Sequence, residues 1–362
     1  MLACASSAST APTYNVISLD TLDVTLDTSP LPTVHRDRLI HRQTTDPETG
    51  EVHDGWYTLK GSTGLHGFSG LASTPFSVSL RLSAKAMGNR YSEGISLGTL
   101  GELCDRITGT GLVSLTPDDL LNAVVRRADP FADVVGTGDV GAALRLVGRT
   151  LGEGTETKGR APNVTLYHKL PQAAGRLRAY AKGPELAKAE HKGFRALYPE
   201  AVAYVDGRTR FEVEAKTYDA TRRIAWMDKG NPRLRDVLRS DRQPVADALD
   251  AMLDTWTGAR RALHPFRSIP DGIPAFLAMP PASFSDDAVR FLAAWLADCT
   301  AGDFNVCKEV VRGRYGVNAS RYYPALRSAC EAYAVDADAD SLPAAVASLR
   351  ACSAEVRQRE AA

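Results

Sequence analysis

The stretch "GRLRAYAKG", Gly175 to Gly183, decides how the rest of the chain is read. At a strand's period of two, Arg176, Arg178, Tyr180 and Lys182 share one face, and Leu177, Ala179 and Ala181 share the other. The apolar face is small and suits packing on a core. The opposite face sets three cations around one phenol, which fits an anionic substrate better than plain solvent. Taken alone, such a face is more often a solvated strand surface than a site.

The same two-faced pattern recurs on either side. In "FSVSLRLSAKAMGN" (76–89), Phe76, Val78, Leu80, Leu82 and Ala84 oppose Ser77, Ser79, Arg81, Ser83 and Lys85. "VVRRADPFADVV" (124–135) puts Arg127, Asp129, Phe131 and Asp133 on one side, with Pro130 requiring an edge or a bulge. "GRTRFEVEAKTYD" (207–219) turns Phe211, Val213 and Ala215 inward and Arg208, Arg210, Glu212, Glu214 and Lys216 outward. "NVTLYHKL" (163–170) pairs with the opening stretch as a hairpin, and "VISLDTLDVTLDT" (16–28) is an early strand. Residues 42–75 are rich in Gly, Thr and Ser, with Trp56 and Tyr57 as anchors, and 153–163 form a polar linker.

Helices are expected over 96–107, 116–125, 139–152 and 185–200, the second opened by Thr116 as N-cap and Pro117 in the first turn. These elements predict an α+β domain. Its antiparallel sheet has helices on the apolar face and an open charged catalytic face. From about residue 230 strand signals fade. A helix capped by Ser285 and a pair of helices joined at Gly313 to Gly316 follow. The expected division is a disordered 1–13, a catalytic domain over 14–229 and a mainly helical domain over 230–362.

Bulk composition narrows the function. Lys plus Arg and Asp plus Glu number 43 each in 362 residues, so any polyanion site comes from local segregation of charge. The six cysteines include no CxxC pair and read as reduced thiols. The N-terminal residues do not read as a signal peptide, and no apolar run nears the ~20 residues of a membrane span, so a cytoplasmic protein with no membrane partner is expected. The seven histidines contain no His-hydrophobic-His pair, and only His66 and His168 merit testing as ligands.

Cleavage of a phosphodiester by tyrosine needs an activated phenol and positive charge on the non-bridging oxygens. Tyr180 and Lys182 offer the nucleophile and a cation that steadies phenoxide or phosphate. Arg176 and Arg178 are candidate DNA contacts, and Asp129, Glu212 and Glu214 are candidate ligands for Mg²⁺ or Mn²⁺. The competing reading of these charges is a cross-strand ladder of ion pairs. Near the C-terminus, Lys308, Arg312, Arg314, Arg321 and Arg327 are interleaved with Tyr315, Tyr322 and Tyr323. That segment reads as a helix-turn-helix-like origin reader, a platform for stacked bases, or a bundle with solvated cations.

Five segments, in order, resemble the gene II/X replication initiators of filamentous phages and related plasmids. "SLRLSAKAMGN" is similar to that family's early strand, "RRADPFADV" to its Arg-x-Asp strand, and "NVTLYHK" with "RLRAYAKGPEL" to its Tyr-x-Lys hairpin. "RTRFEVEAK" resembles the Arg-Phe-Glu segment, and "NASRYYPALRSACEAYAVD" the Ser-Arg-Tyr helical segment. The first 60 residues and most of 230–305 have no such match. The resemblance implies a rolling-circle initiator in a bacterial host cell, with Tyr180 matching the nicking tyrosine. It implies a 5′-phosphotyrosyl intermediate, a 3′-OH that primes host polymerase with a helicase at work, and later rejoining of the displaced strand. Its partners would be origin DNA, duplex and single-stranded. The rival readings are a non-catalytic single-stranded DNA-binding protein, and a mobilisation relaxase or transposase with the same tyrosine chemistry.

Overall fold

The computed structural model describes residues 17–59, 61–151, 155–158, 164–170, 175–225, 227, 229–258, 303–337 and 342–361, with Val289, Leu292, Ala293 and Leu296. The expected disordered 1–13, most of the helix capped by Ser285 and part of the 153–163 linker lie outside the described residues. Two compact units divide the chain: Met1–Thr137 with His168–Ala251 and Cys352–Ala362, and Gly138–Tyr167 with Met252–Ala351.

The first unit is built on an antiparallel sheet. In chain order its strands are β1 (Leu19–Leu26), β2 (Leu39–Thr45), β3 (Val52–Leu59), β4 (Phe68–Ser73), β5 (Val78–Ser83) and β6 (Val124–Val135). β9 (Arg176–Ala181) and β10 (Arg208–Glu214) complete it, while β7 (Thr155–Lys158) and most of β8 (Thr165–Lys169) belong to the second unit. The spatial order through the first unit is β2-β3-β4-β5-β1-β6-β10-β9, so the strands that carry the candidate site, β6, β10 and β9, are neighbours. β3, β4 and the end of β2 fall in the Gly/Thr/Ser-rich 42–75 region, where no strand is expected from the sequence, and β7 falls within the expected linker.

One face of the sheet is apolar, as expected. Leu22, Val24, Leu80, Leu82 and Ala128 pack there with Leu103, Leu120, Ile224, Leu234 and Val237. These last belong to α1 (Leu100–Thr108), α2 (Pro117–Asn122), α7 (Tyr218–Ile224) and α8 (Leu234–Leu238). α2 starts where the sequence says it should: Thr116 accepts from Asp119 N–H and Asp119 reaches back to the Thr116 N–H, a capping box. α8 belongs to this apolar core, so the first unit runs past the boundary expected at 229–231, to Ala251.

The α+β architecture stands, but the charged face is not open across its middle. A second small core covers it, made of Ala84, Tyr91, Leu186, Phe194, Ala201 and Val205. These come from a 3-10 segment, Ala84–Glu93, and from α4 (Lys182–Leu186), α5 (Lys192–Leu197) and α6 (Pro199–Val205). The helix expected over 185–200 is therefore a chain of short turns, broken at Pro199.

β1 carries the irregularity that Pro130 demands. Leu19 pairs with Pro130 and Thr21 with Asp129, which leaves Asp20 unpaired as a bulge. Pro130 has no N–H to give, and Phe131 N–H bonds Ser18 O at 3.0 Å instead. The extra residue lets Leu19 and Leu22 both face apolar surroundings and sends the Asp20 carboxylate to the charged side.

The second unit includes α3 (Thr137–Thr150), α10 (Phe304–Tyr315) and α11 (Tyr323–Ala337), and the residues of α9 (Pro244–Gly258) and α12 (Leu342–Glu360) are shared out between the two units. Gly316, at φ 54°, ends α10 at the expected joint. Among the described residues no helix is long and apolar enough to cross a membrane.

Candidate active site

Register builds the site row by row. Arg210 on β10 lies opposite Asp133 on β6 and Tyr180 on β9; Glu212 lies opposite Phe131 and Arg178; Glu214 lies opposite Arg176. Two glycines allow this closeness. A Cβ on Gly175 (φ 103°) would sit 2.5 Å from Glu214 O, and one on Gly94 (φ 64°) 2.6 Å from the Phe131 ring.

Tyr180 is 3% exposed, and its hydroxyl sits between an acceptor and a cation. It donates to Glu212 Oε2 at 3.0 Å and accepts from Lys182 Nζ at 2.8 Å. The Arg178 guanidinium lies over its ring, 4.0 Å from the centroid, and 4.0 Å from Glu212. Lys182, at the start of α4, is 2% exposed and also meets Glu185 at 3.2 Å and Asp20 at 3.7 Å.

Beneath them Arg210 is fully buried. It forks onto both Asp133 oxygens at 2.7 Å, bonds Tyr91 OH at 3.0 Å, pairs with Asp20 and stacks 3.7 Å above the Phe131 ring. Sequence reading placed Asp133 and Arg210 on this face but gave them no role, and Asp20 and Tyr91 escaped it.

Burial and charge set the protonation states. Burial drives the Tyr180 phenol well above its usual value, with Lys182 only partly opposing. Burial lowers the Lys182 pKa, but Asp20, with Tyr180 and Tyr91 after it, outweighs burial and holds it well above the lysine norm. Glu212 is pushed up to about 7 by burial and by the Asp20 charge. Asp129 is pushed up to about 6, burial outweighing the Arg127 hydrogen bond. Asp20 resists burial through Lys182 and Arg210 and stays well below the carboxylate range.

The expected metal ligands do not converge. Asp129 accepts from Arg127 Nε at 2.8 Å and Ala215 N–H at 3.1 Å. Glu214 accepts from Arg176 Nε at 2.8 Å and meets Lys216 at 3.3 Å. Glu212 holds Tyr180. Each carboxylate is thus committed to a cation, an amide or a phenol, and the three do not form a group of ligand atoms within 4.8 Å of one another. Among the described residues, the trio that does gather is Glu185, Glu190 and His191, whose ligand atoms lie within 4.8 Å of one another.

His191 Nε2 is 3.0 Å from Glu185 and 3.4 Å from Glu190, with Lys85 Nζ 3.4 Å away. Glu185 Oε2 is buried, with an ion-pair contact to Lys182 but no hydrogen bond. Burial raises the Glu185 pKa, but Lys182 and Lys85 win and bring it down to about 2. The two carboxylates suit Mn²⁺ or Mg²⁺, and the imidazole favours Mn²⁺ over the oxygen-seeking Mg²⁺. The adjacent Glu190-His191 pair was the sequence signal for this cluster. Of the two histidines singled out, His168 is buried on β8, its pKa lowered by burial, and His66 packs edge-on to Phe194 and Tyr198.

In the second unit Arg312, Arg314 and Arg321 are exposed. Tyr315 and Tyr322 are buried against each other, centroids 4.8 Å apart, so they are core and not a base-stacking platform. No family model matches the chain, and no curated protein matches it. Among solved structures it is similar to a rolling circle replication initiator protein from Geobacillus stearothermophilus, with 12% identity and a TM-score of 0.32 over 65% of this chain and 84% of that one.

Proposed function

We propose that this chain nicks and rejoins one strand of DNA by tyrosine transesterification, as an initiator of rolling-circle replication, with Tyr180 as nucleophile. The observation that carries the reading is the phenol held between Glu212 at 3.0 Å and Lys182 at 2.8 Å. Glu212, poised near neutrality, takes the phenolic proton, and the Lys182 ammonium steadies the phenoxide. The phenoxide oxygen bonds to phosphorus, the P–O3′ bond breaks, and the departing 3′ oxygen takes a proton from solvent. The products are a 5′-phosphotyrosyl ester and a 3′-OH for host polymerase. Rejoining is the same exchange in reverse, so the bond energy is conserved.

Arg178 and Arg176, half-buried at the margin of the cluster, meet the phosphates, and Arg178 must swing off the Tyr180 ring to admit them. Glu185, Glu190 and His191 would hold Mg²⁺ or Mn²⁺, which supplies charge to a non-bridging oxygen when bound. Arg312, Arg314 and Arg321 serve duplex binding.

One observation favours a second reading. Tyr180 is 3% exposed with a raised pKa, as befits a network that only braces a single-stranded DNA-binding sheet. Incubation with supercoiled origin plasmid, with and without EDTA, separates the two. A metal-dependent nick with a covalent adduct supports the enzyme; binding without any nick supports the binder.

A further inference from the structure

α10 has a face that the nicking chemistry does not use. Its inner side is Cys307, Val311 and Tyr315. On its outer side Val306 and Val310 are 47% and 49% exposed, and Val317, just past the helix end, is 95% exposed. Gly313 falls in the same row at 3.6 residues per turn, and a Cβ there would meet nothing within 4 Å. Arg314 flanks the row on one side and Glu309 on the other, with Arg312 beyond Glu309 and 3.9 Å from it. A stripe of β-branched side chains and bare backbone on the solvent side of a helix marks a contact surface more than a fold requirement.

Charge selects the occupant. Residues 303–330 hold Lys308, Arg312, Arg314, Arg321 and Arg327 against Asp303 and Glu309. A second copy docked on the same face would set these arginines against their own symmetry mates. A polyanion satisfies them. The major groove of a duplex admits a helix and presents one apolar group, the thymine 5-methyl.

We infer that this face of α10 enters the major groove of duplex DNA, with Val306 and Val310 against thymine methyls and Arg312 and Arg314 on flanking phosphates. The inference rests on the DNA reading above and adds to it a surface and a base preference.

The test uses the full chain carrying Tyr180→Phe, so that nothing is cut, and two duplex polymers, alternating poly(dA-dT) and poly(dA-dU), which differ only in the 5-methyl. The chain should prefer the thymine polymer by roughly 4-fold for each methyl buried. Val306→Ala with Val310→Ala keeps helix propensity, checked by circular dichroism, and should erase the preference while leaving the salt slope unchanged. Arg312→Ala with Arg314→Ala should keep the preference and flatten the salt slope by about two counterions. Equal affinity for both polymers overturns the inference. So does a preference that survives in the valine variant, or a dimer that this variant dissociates while DNA affinity stays the same. A wild-type chain that never nicks but shows valine-dependent thymine preference retires the nicking reading and keeps this one. A nicking chain indifferent to the methyl does the reverse.

Discussion

The Tyr180 hydroxyl donates to Glu212 Oε2 at 3.0 Å on a diagonal of the β9–β10 ladder, one step off its register partner Arg210. Tyr180→Phe keeps the ring and removes the oxygen. Nicking and the covalent adduct should fall to background, while origin binding stays within a few-fold. The loss of a buried partner for Glu212 and Lys182 should cost about 1–3 kcal/mol of stability. Adduct formation on a denaturing gel checks it, and an adduct that survives moves the nucleophile, with Tyr167 on β8 the next residue to replace.

Glu212 accepts the proton only when ionised, and burial holds its pKa up at about 7. Single-turnover nicking should therefore rise as pH passes upward through about 7 and level off above it. Glu212→Gln should lower the rate and remove this rise. A wild-type profile flat from pH 6 to 8 would take Glu212 out of the proton transfer.

Two sets of carboxylates compete for the metal, and titration with Mn²⁺ distinguishes them. Glu190→Gln or His191→Ala should raise the Mn²⁺ concentration needed for half-maximal nicking, with excess metal restoring most of the rate. Asp129→Asn should leave that concentration unchanged, because Asp129 is committed to Arg127 and the Ala215 amide. The opposite pattern would return the ion to Asp129.

Asp20 faces Arg210, Lys182 and Tyr91 at once. Asp20→Ala leaves two buried cations short of a counter-charge and should cost about 3–5 kcal/mol, read from the urea midpoint. A loss below about 1 kcal/mol would make the network a surface-like one.

Glu360 caps α9 from the far end of the chain, accepting from the Val245 and Ala246 amides at 3.1 Å, and burial pushes its pKa up to about 7. A carboxyl with a raised folded pKa takes up a proton on folding. Its contribution therefore falls as pH rises from about 4.5 to 7. Asp129 and Glu212 titrate in the same direction. His168, its pKa lowered by burial, works the other way in this window, so the readout is the variant: Glu360→Gln should make the stability change from pH 5.5 to 7.5 less negative than in the wild type. A variant whose stability changes with pH as the wild type's does would exclude Glu360 as a source.

Period-two parity made much of this legible. The face shared by Arg176, Arg178 and Tyr180, and the one shared by Asp129, Phe131 and Asp133, follow from alternation alone. What covers that face was not legible. Its lid core joins Tyr91 to Phe194 and Val205, residues more than a hundred positions apart with no local pattern between them. The Gly-rich stretch conceals β2 to β4 because β2, at the sheet edge, buries none of its residues and the glycines of β3 and β4 interrupt the apolar alternation. Asp20 was hidden by its bulge, since strict alternation assigns it to the apolar side with Leu22. Glu185 and His191 are six apart and meet through the turn at Ala189–His191, a spacing no helical period would flag.

The bulge at Asp20 also bears on how the chain can change length. With residue 20 deleted, Leu19, Thr21 and Leu22 would alternate as an unbroken strand, and both leucines would still point to apolar surroundings. The strand thus carries one residue more than its core pattern requires, and that residue is the carboxylate between Arg210 and Lys182. A single-codon deletion would straighten β1 and disarm the cluster without touching the apolar core, whereas an insertion one position later would turn Leu22, Val24 and Leu26 outward together.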